Sequence, residues 1–171
     1  MYCIYSMAQR SLVFDTSALL FSKPILSFVQ RDYIISITEL ISIEAGISNG
    51  VTIVNLEDSD KDLAFNILKR GFGKEQAISY RKRGKMKHAG EAEALAIAKR
   101  LNVPIVLHEN LPIVWCKMCN IAYVKVADLP EKLGPVPVDN LISFYEGLCK
   151  QKSSQKACDK AKELNMKKAK R

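Results

Sequence analysis

Four acidic residues of this 171-residue chain stand where a carboxylate is hard to explain as solvated surface: Asp15, Glu44, Glu91 and Glu109. Asp15 closes the apolar run Ser11–Phe14 and opens an Asp-Thr-Ser junction suited to capping a helix. Glu91 falls on the helical stripe of Ala94, Leu95, Ala98 and Leu101, and Glu44 on that of Leu40, Ile41 and Ile47. Glu109 follows the apolar strand Pro-Ile-Val-Leu-His. Singly, each has a plain role: helix cap, first-turn charge near the helix dipole, exposed helix residue, loop residue. As a set they suggest a shared pocket. Four converging carboxylates cannot all stay ionised without a counter-charge, and hard cations such as Mg2+ or Mn2+ prefer oxygen donors. Two such ions about 4 Å apart activate a water and stabilise the leaving oxygen of a phosphodiester. Glu93 points near Ile97 and Arg100 and is left outside the set.

The elements that must position these acids alternate. Strands are expected at Ser11–Phe14, Tyr33–Ser36, Val51–Val54, Pro104–His108 and Ile121–Val124. Helices are expected from Ala18 to about Gln30 (bent or divided at Pro24), Glu39–Ser48, Asp58–Leu68, Lys74–Arg83, Gly90–Leu101, Pro112–Met118 and Val138–Lys150. Gly71-Phe-Gly73 reads as a break, and Ala127–Leu133 as a short helix. This pattern predicts an α/β fold: three α/β/α layers around a central, mostly parallel twisted sheet of four to five strands. Ligands of such sheets bind beyond the carboxyl ends of the strands, where Asp15 and Glu109 fall. The division expected is an N-terminal extension at 1–10, one domain at 11–150 and a basic tail at 151–171, disordered or weakly helical. GFGKEQ lacks the spacing and the Lys-Ser/Thr of a phosphate loop.

The net charge of +8 is unevenly spread. Segments 69–88 and 151–171 carry +7 and +6, leaving a body of −5. An acidic site on a chain with basic segments suits a polyanionic partner. Arg81, Lys82, Arg83, Lys85 and Lys87, just before Gly90, are the candidate RNA-binding residues; Tyr80 is a candidate for base stacking, and His88 reads as exposed. Five unevenly spaced cysteines with no export signal argue against a disulfide framework. Cys116 and Cys119, a CxxC inside a helix, read as semi-buried thiols, with Trp115 beside them in the core. No apolar run reaches the ~20 residues of a membrane span, and MYCIYSMAQRS lacks the pattern of a signal peptide. A cytoplasmic location and no membrane partner are expected.

LVFDTSALL, TELISIEAGI and GEAEALAIAKRLNVPIVLHEN together resemble the PIN-domain ribonuclease superfamily, in its GEAEA-containing prokaryotic and archaeal branch. The similarity spans about Ser11 to Leu133 with a divergent middle. It implies hydrolysis of RNA phosphodiesters with Mg2+ or Mn2+. Asp15, Glu44 and Glu91 would be metal ligands, Glu109 a ligand or water-positioning base, and Ser17 a hydroxyl in the metal shell. It also implies a role as a toxin with an antitoxin partner, or in ribosomal or other RNA processing, with a homodimer among the expected assemblies. The chain departs from the family at His108-Glu109-Asn110, where Asp-Asp or Thr-x-Asp is usual. The other readings are a catalytically weakened RNA- or ribosome-binding module and a phospho-accepting receiver domain, the latter lacking the lysine it needs.

Overall fold

A computed structural model describes residues 10–83, 86–151 and 154–170. Strands β1 (Arg10–Phe14), β2 (Tyr33–Ile37), β3 (Thr52–Ile53), β4 (Ile105–Leu107) and β5 (Tyr123–Lys125) form one sheet in the order β3-β2-β1-β4-β5. Every pairing is parallel; Val13 of β1 aligns with Ser36 on one side and Ile105 on the other. The expected α/β fold is the observed one. Leu12, Val13, Phe14 and all of β4 are buried, the continuous apolar lettering of strands covered on both faces. From β1 the chain steps outward to β2 and β3, then returns across the sheet to β4. The carboxyl ends of β1 and β4 therefore bound the crevice where the strand order reverses.

Helices α1 (Thr16–Phe21) and α2 (Leu26–Asp32) flank a 3-10 turn at Lys23–Ile25, so Pro24 divides the first helical segment. Helix α3 (Glu39–Ala45) is capped by Thr38, whose hydroxyl accepts from Ile41 N, and stops at Gly46, which takes φ +62°. Helices α4 (Asp58–Phe72), α5 (Lys74–Arg83), α6 (Ala89–Leu101) and α7 (Leu111–Cys119) pack in series, α4 against α5 and α6, and α6 against α7. Helix α8 (Val138–Lys150) packs on α1 and on α9 (Gln155–Ala169). A second 3-10 segment, Val126–Lys132, follows β5.

Three expectations change. Helix α6 is buried nearly all round, from Ala89 to Ala98 with Glu91 the partial exception, while Leu101 is exposed. Its alanines are small enough for α4, α7 and the sheet all to approach. Helix α4 runs through Gly71 and stops at Gly73: a Cβ at Gly71 would lie 2.6 Å from Trp115 Cζ2, so that glycine serves close packing and does not break the helix. The segment expected as a disordered or weakly helical tail contains α9, a 15-residue helix docked on α8. Ala157 and Ala161 are buried there, Cys149 and Cys158 form a disulfide, and Lys156 and Lys168 pair with Asp128, Glu131 and Asp139. Its alanine stripe is what charge counting overlooked. No helix among the described residues is long and apolar enough to cross a membrane.

Candidate metal centre

Asp15 follows β1 and caps α1. Its Oδ1 accepts from Ala18 N at 2.6 Å, and its own N–H reaches Val106 O of β4 at 3.3 Å. The residue is fully buried, and among the described residues Oδ2 has no partner within hydrogen-bond geometry, although the His108 backbone N–H lies near enough to favour the ionised carboxylate. The cap reading is thus correct for one oxygen and leaves the other unexplained. Burial, with the charges of Glu91 and Glu109 adding to it against the backbone bonds, pushes the Asp15 carboxyl up to about 7.

Glu91 lies in the first turn of α6, its side chain 13% exposed. Oε2 is 2.5 Å from His88 Nδ1. Burial raises its carboxyl, the His88 contact opposes this, and Glu109 and Glu44 raise it further. His88, Glu91 and Glu109 each bring a donor atom within 4.8 Å of the others. Among the described residues no other trio of His, Cys, Asp or Glu is so gathered. Asp15 and Glu44 lie outside that spacing; the Glu44 charge raises the Glu91 carboxyl, and the Glu91 charge in turn raises that of Asp15.

Glu44 is exposed at the end of α3, and Thr16 Oγ1 donates to its Oε2 at 2.6 Å. It is an edge residue and not, as its stripe implies, a member of the core. A Cβ at Gly90 would sit 3.1 Å from that oxygen and 3.5 Å from Thr16 Oγ1, so a glycine lets α6 approach the pair. Of the four acids chosen from sequence, Glu91 and Glu109 are gathered with His88, while Asp15 at the end of β1 and Glu44 on α3 stand outside that group.

Other expectations change. The hydroxyl beside the acids belongs to Thr16; among the described residues Ser17 makes no hydrogen bond to them. His88 is not exposed: its side chain is 14% accessible and its ring stacks on Phe72 at 4.7 Å between centroids. It takes φ +66° just before α6, a backbone state that nothing in the local sequence announces. His108 packs on Phe21 at 4.3 Å, and burial lowers its pKa, which favours the neutral ring over a second site charge.

The basic stretch divides. Arg81 is engaged by Asp62 and by the face of Phe65, 4.2 Å away. Tyr80 is buried and donates to Glu93 Oε1 at 2.9 Å, so it is no stacking platform. Lys82, Arg83 and Lys87 are exposed, and Lys85 lies outside the described residues. Trp115 is in the core as expected; Cys116 and Cys119 are free thiols, the former buried and pushed up to about 12.

The donor set fits a divalent cation. A buried, unpartnered carboxylate oxygen is costly, and the nearby charges of Glu91 and Glu109 add to that cost. A cation shared by these groups removes it. No protein-family model matches the chain, and none of the curated proteins does.

Proposed function

We propose that this chain is a PIN-like endoribonuclease that hydrolyses RNA phosphodiester bonds with Mn2+ or Mg2+ at the Asp15–Glu44–Glu91–Glu109 cluster. The observation that carries the reading is the orphaned Oδ2 of Asp15, buried beside further carboxylates at the crevice between β1 and β4. Glu91 and Glu109 would supply oxygen donors and His88 a ring nitrogen, with the Asp15 carboxyl interacting with both acids by charge. The nitrogen favours Mn2+ over Mg2+. When bound, such a cation lowers the pKa of a coordinated water and offsets charge on a phosphodiester. Thr16 orients Glu44. Glu109, exposed on the solvent side of the cluster, is the acid placed to position an incoming water. Lys82, Arg83 and Lys87 attract the RNA backbone, without selecting sequence.

The reading implies a cytoplasmic protein with RNA as its partner, and an antitoxin or RNA-processing factor as a further one. A homodimer is compatible with it. The second reading, a weakened RNA- or ribosome-binding module, is favoured by His108, a packed ring where the family has an acid or a hydroxyl.

Cleavage of a labelled single-stranded RNA in Mn2+ by wild type and Asp15→Asn separates the two. The nuclease reading expects cleavage that falls at least about 100-fold in the variant, the scale on which loss of a charge-stabilising group acts. Equal cleavage by both proteins contradicts it, and binding without cleavage in either metal favours the module.

A further inference from the structure

Glu93 is a buried acid that the proposed chemistry does not use. It stands two residues beyond Glu91 on α6 and is 5% exposed. Tyr80 donates to its Oε1 at 2.9 Å, and the nearby Thr38 hydroxyl favours its ionised form. An ionised carboxylate offers about four acceptor positions, so two hydroxyls leave acceptor capacity over.

That capacity borders open space. Two cavities, about 510 Å³ and 660 Å³, share Glu93, Leu56 and Lys61 in their walls. The first is bounded by Leu40 and Ile43 of α3 and by Arg83 at the end of α5; the second by Tyr80 and Arg81. Each is of a size that holds a nucleotide-scale ligand. Thr38 follows β2, and Leu56 lies three residues beyond β3. The groove thus lies over the carboxyl ends of β2 and β3, on the same sheet edge as the acids above β1 and β4. Strands in a sheet are spaced by about 4.8 Å, so the groove begins one or two strand spacings from the cluster. The two also interact by charge, since Glu44 raises the Glu93 carboxyl.

We infer that this groove is a nucleobase subsite in which Glu93 accepts two N–H groups from the Watson–Crick edge of a guanine. The inference rests on the RNA-cleaving reading above and names the base preference of that same site. Guanine presents N1–H and the 2-amino group side by side. Adenine and cytosine each present one amino group beside a ring acceptor, and uracil presents one N–H between two carbonyls. An acceptor-only carboxylate pairs with the first pattern and meets a repelling lone pair in the others. Ile43 and Leu56 offer apolar surface to the ring face. Exposed Arg83, which lines the first cavity with Glu39 and makes no ion pair among the described residues, offers a cation to the attached phosphate. A guanidinium from a basic peptide also carries paired N–H donors; of the wall cations Lys61 pairs with Asp58 and Arg81 with Asp62, which leaves Arg83 as the like charge a basic peptide would meet and the cation a phosphate would meet.

The test is calorimetric binding of GMP, AMP, CMP, UMP and agmatine to the full oxidised chain with EDTA present, which keeps phosphate from metal at the acid cluster. The groove reading expects GMP to bind at least about tenfold more tightly than the other nucleotides. In Glu93→Gln, which keeps the side-chain volume, GMP falls to the affinity of AMP. Should that variant not fold, Arg83→Gln, at an exposed position, is expected to weaken GMP and leave guanosine unchanged. Equal binding of all four nucleotides, or tighter binding of agmatine than of GMP, overturns the inference; the latter would assign the groove to a basic peptide. A chain that shows the Glu93-dependent preference yet never cleaves RNA loses the nuclease reading and keeps the groove. An active nuclease with no such preference loses the groove alone.

Discussion

His88 Nδ1 lies 2.5 Å from Glu91 Oε2, across the start of α6. The contact depends on a left-handed backbone at His88 and on its ring stacking against Phe72, itself edge-on to Trp115. The core of the α4–α7 layer thereby sets the direction of a nitrogen donor at the acid cluster.

His88→Asn should keep the backbone, since Asn tolerates the left-handed region, and remove the ring. Mn2+ affinity is expected to fall about 10- to 100-fold, the range seen when groups supporting a metal site are lost. Mg2+ affinity should fall less. Titration calorimetry with both ions checks this, and an equal loss for both would remove His88 from the donor set.

Asp15→Asn should separate stability from function. The amide can still cap Ala18 N through its oxygen, and it removes a buried charge whose Oδ2 has no partner. Thermal melting of the metal-free variant at neutral pH is expected to rise by about 3 °C, the shift that about 1 kcal/mol gives in a chain of this size. RNA cleavage should be lost in the same protein. A variant that melts lower would mean that Asp15 is a structural acid.

The pH dependence follows from the same group. In the metal-free chain Asp15 titrates near 7 against an ordinary value of 3.8, chiefly through burial, and Glu91 is shifted in the same direction. A raised carboxyl contributes its stability below its unfolded pKa and loses it as pH rises through the folded one. Melting temperature without metal should therefore fall between about pH 4 and pH 7. Asp32, held down to about 2 by Arg31, acts only below that window. Because metal ligands must be deprotonated, Mn2+ binding near pH 6 should release protons. Calorimetry in buffers of different ionisation enthalpy measures them.

Much of this was legible in the sequence for specific reasons. Asp15 and Glu109 each follow an apolar run, and a buried parallel strand leaves few other places for an acid. Glu91 and Glu44 were found by helical spacing, although that spacing misjudged Glu44 as part of the core. What stayed hidden depends on contacts between distant elements. His88 becomes a site residue through one unusual backbone angle and a ring 16 positions earlier. Thr16 rather than Ser17 meets the acids because α1 turns that face towards α3. Arg81 and Tyr80 are drawn into the α4–α6 packing by Asp62 and Glu93, which no charge count distinguishes from solvated neighbours. The pairing of Cys149 with Cys158 required α9 to fold back on α8.

Gly90→Ala probes the approach of α6 to α3. The added methyl would lie 3.1 Å from Glu44 Oε2, on a flexible, exposed side chain that can move aside. Stability is expected to change by less than about 1 kcal/mol, as for substitutions that displace only exposed groups. Cleavage should drop as Glu44 and its Thr16 bond are displaced. Unchanged cleavage would place Glu44 outside the chemistry.

Reducing the Cys149–Cys158 disulfide, which closes a loop across nine positions, should destabilise the chain by roughly 2.5 kcal/mol on loop-closure grounds. Helix α9 should remain docked through Ala157, Ala161 and its ion pairs. Melting of a Cys149→Ser/Cys158→Ser variant, with hydrogen exchange across α9, checks both. Rapid exchange throughout α9 would mean that the disulfide alone holds it.

The central claim is that the acids at the carboxyl ends of β1 and β4 hold a divalent cation. Anomalous X-ray scattering from crystals of the chain soaked in Mn2+ tests it most directly. The account predicts a manganese peak within about 2.5 Å of oxygens of Asp15 and Glu91, the distance range of carboxylate coordination to hard divalent ions, with His88 Nδ1 beside it. A structure of saturated crystals with no peak there, or with manganese only on scattered surface acids, would contradict it.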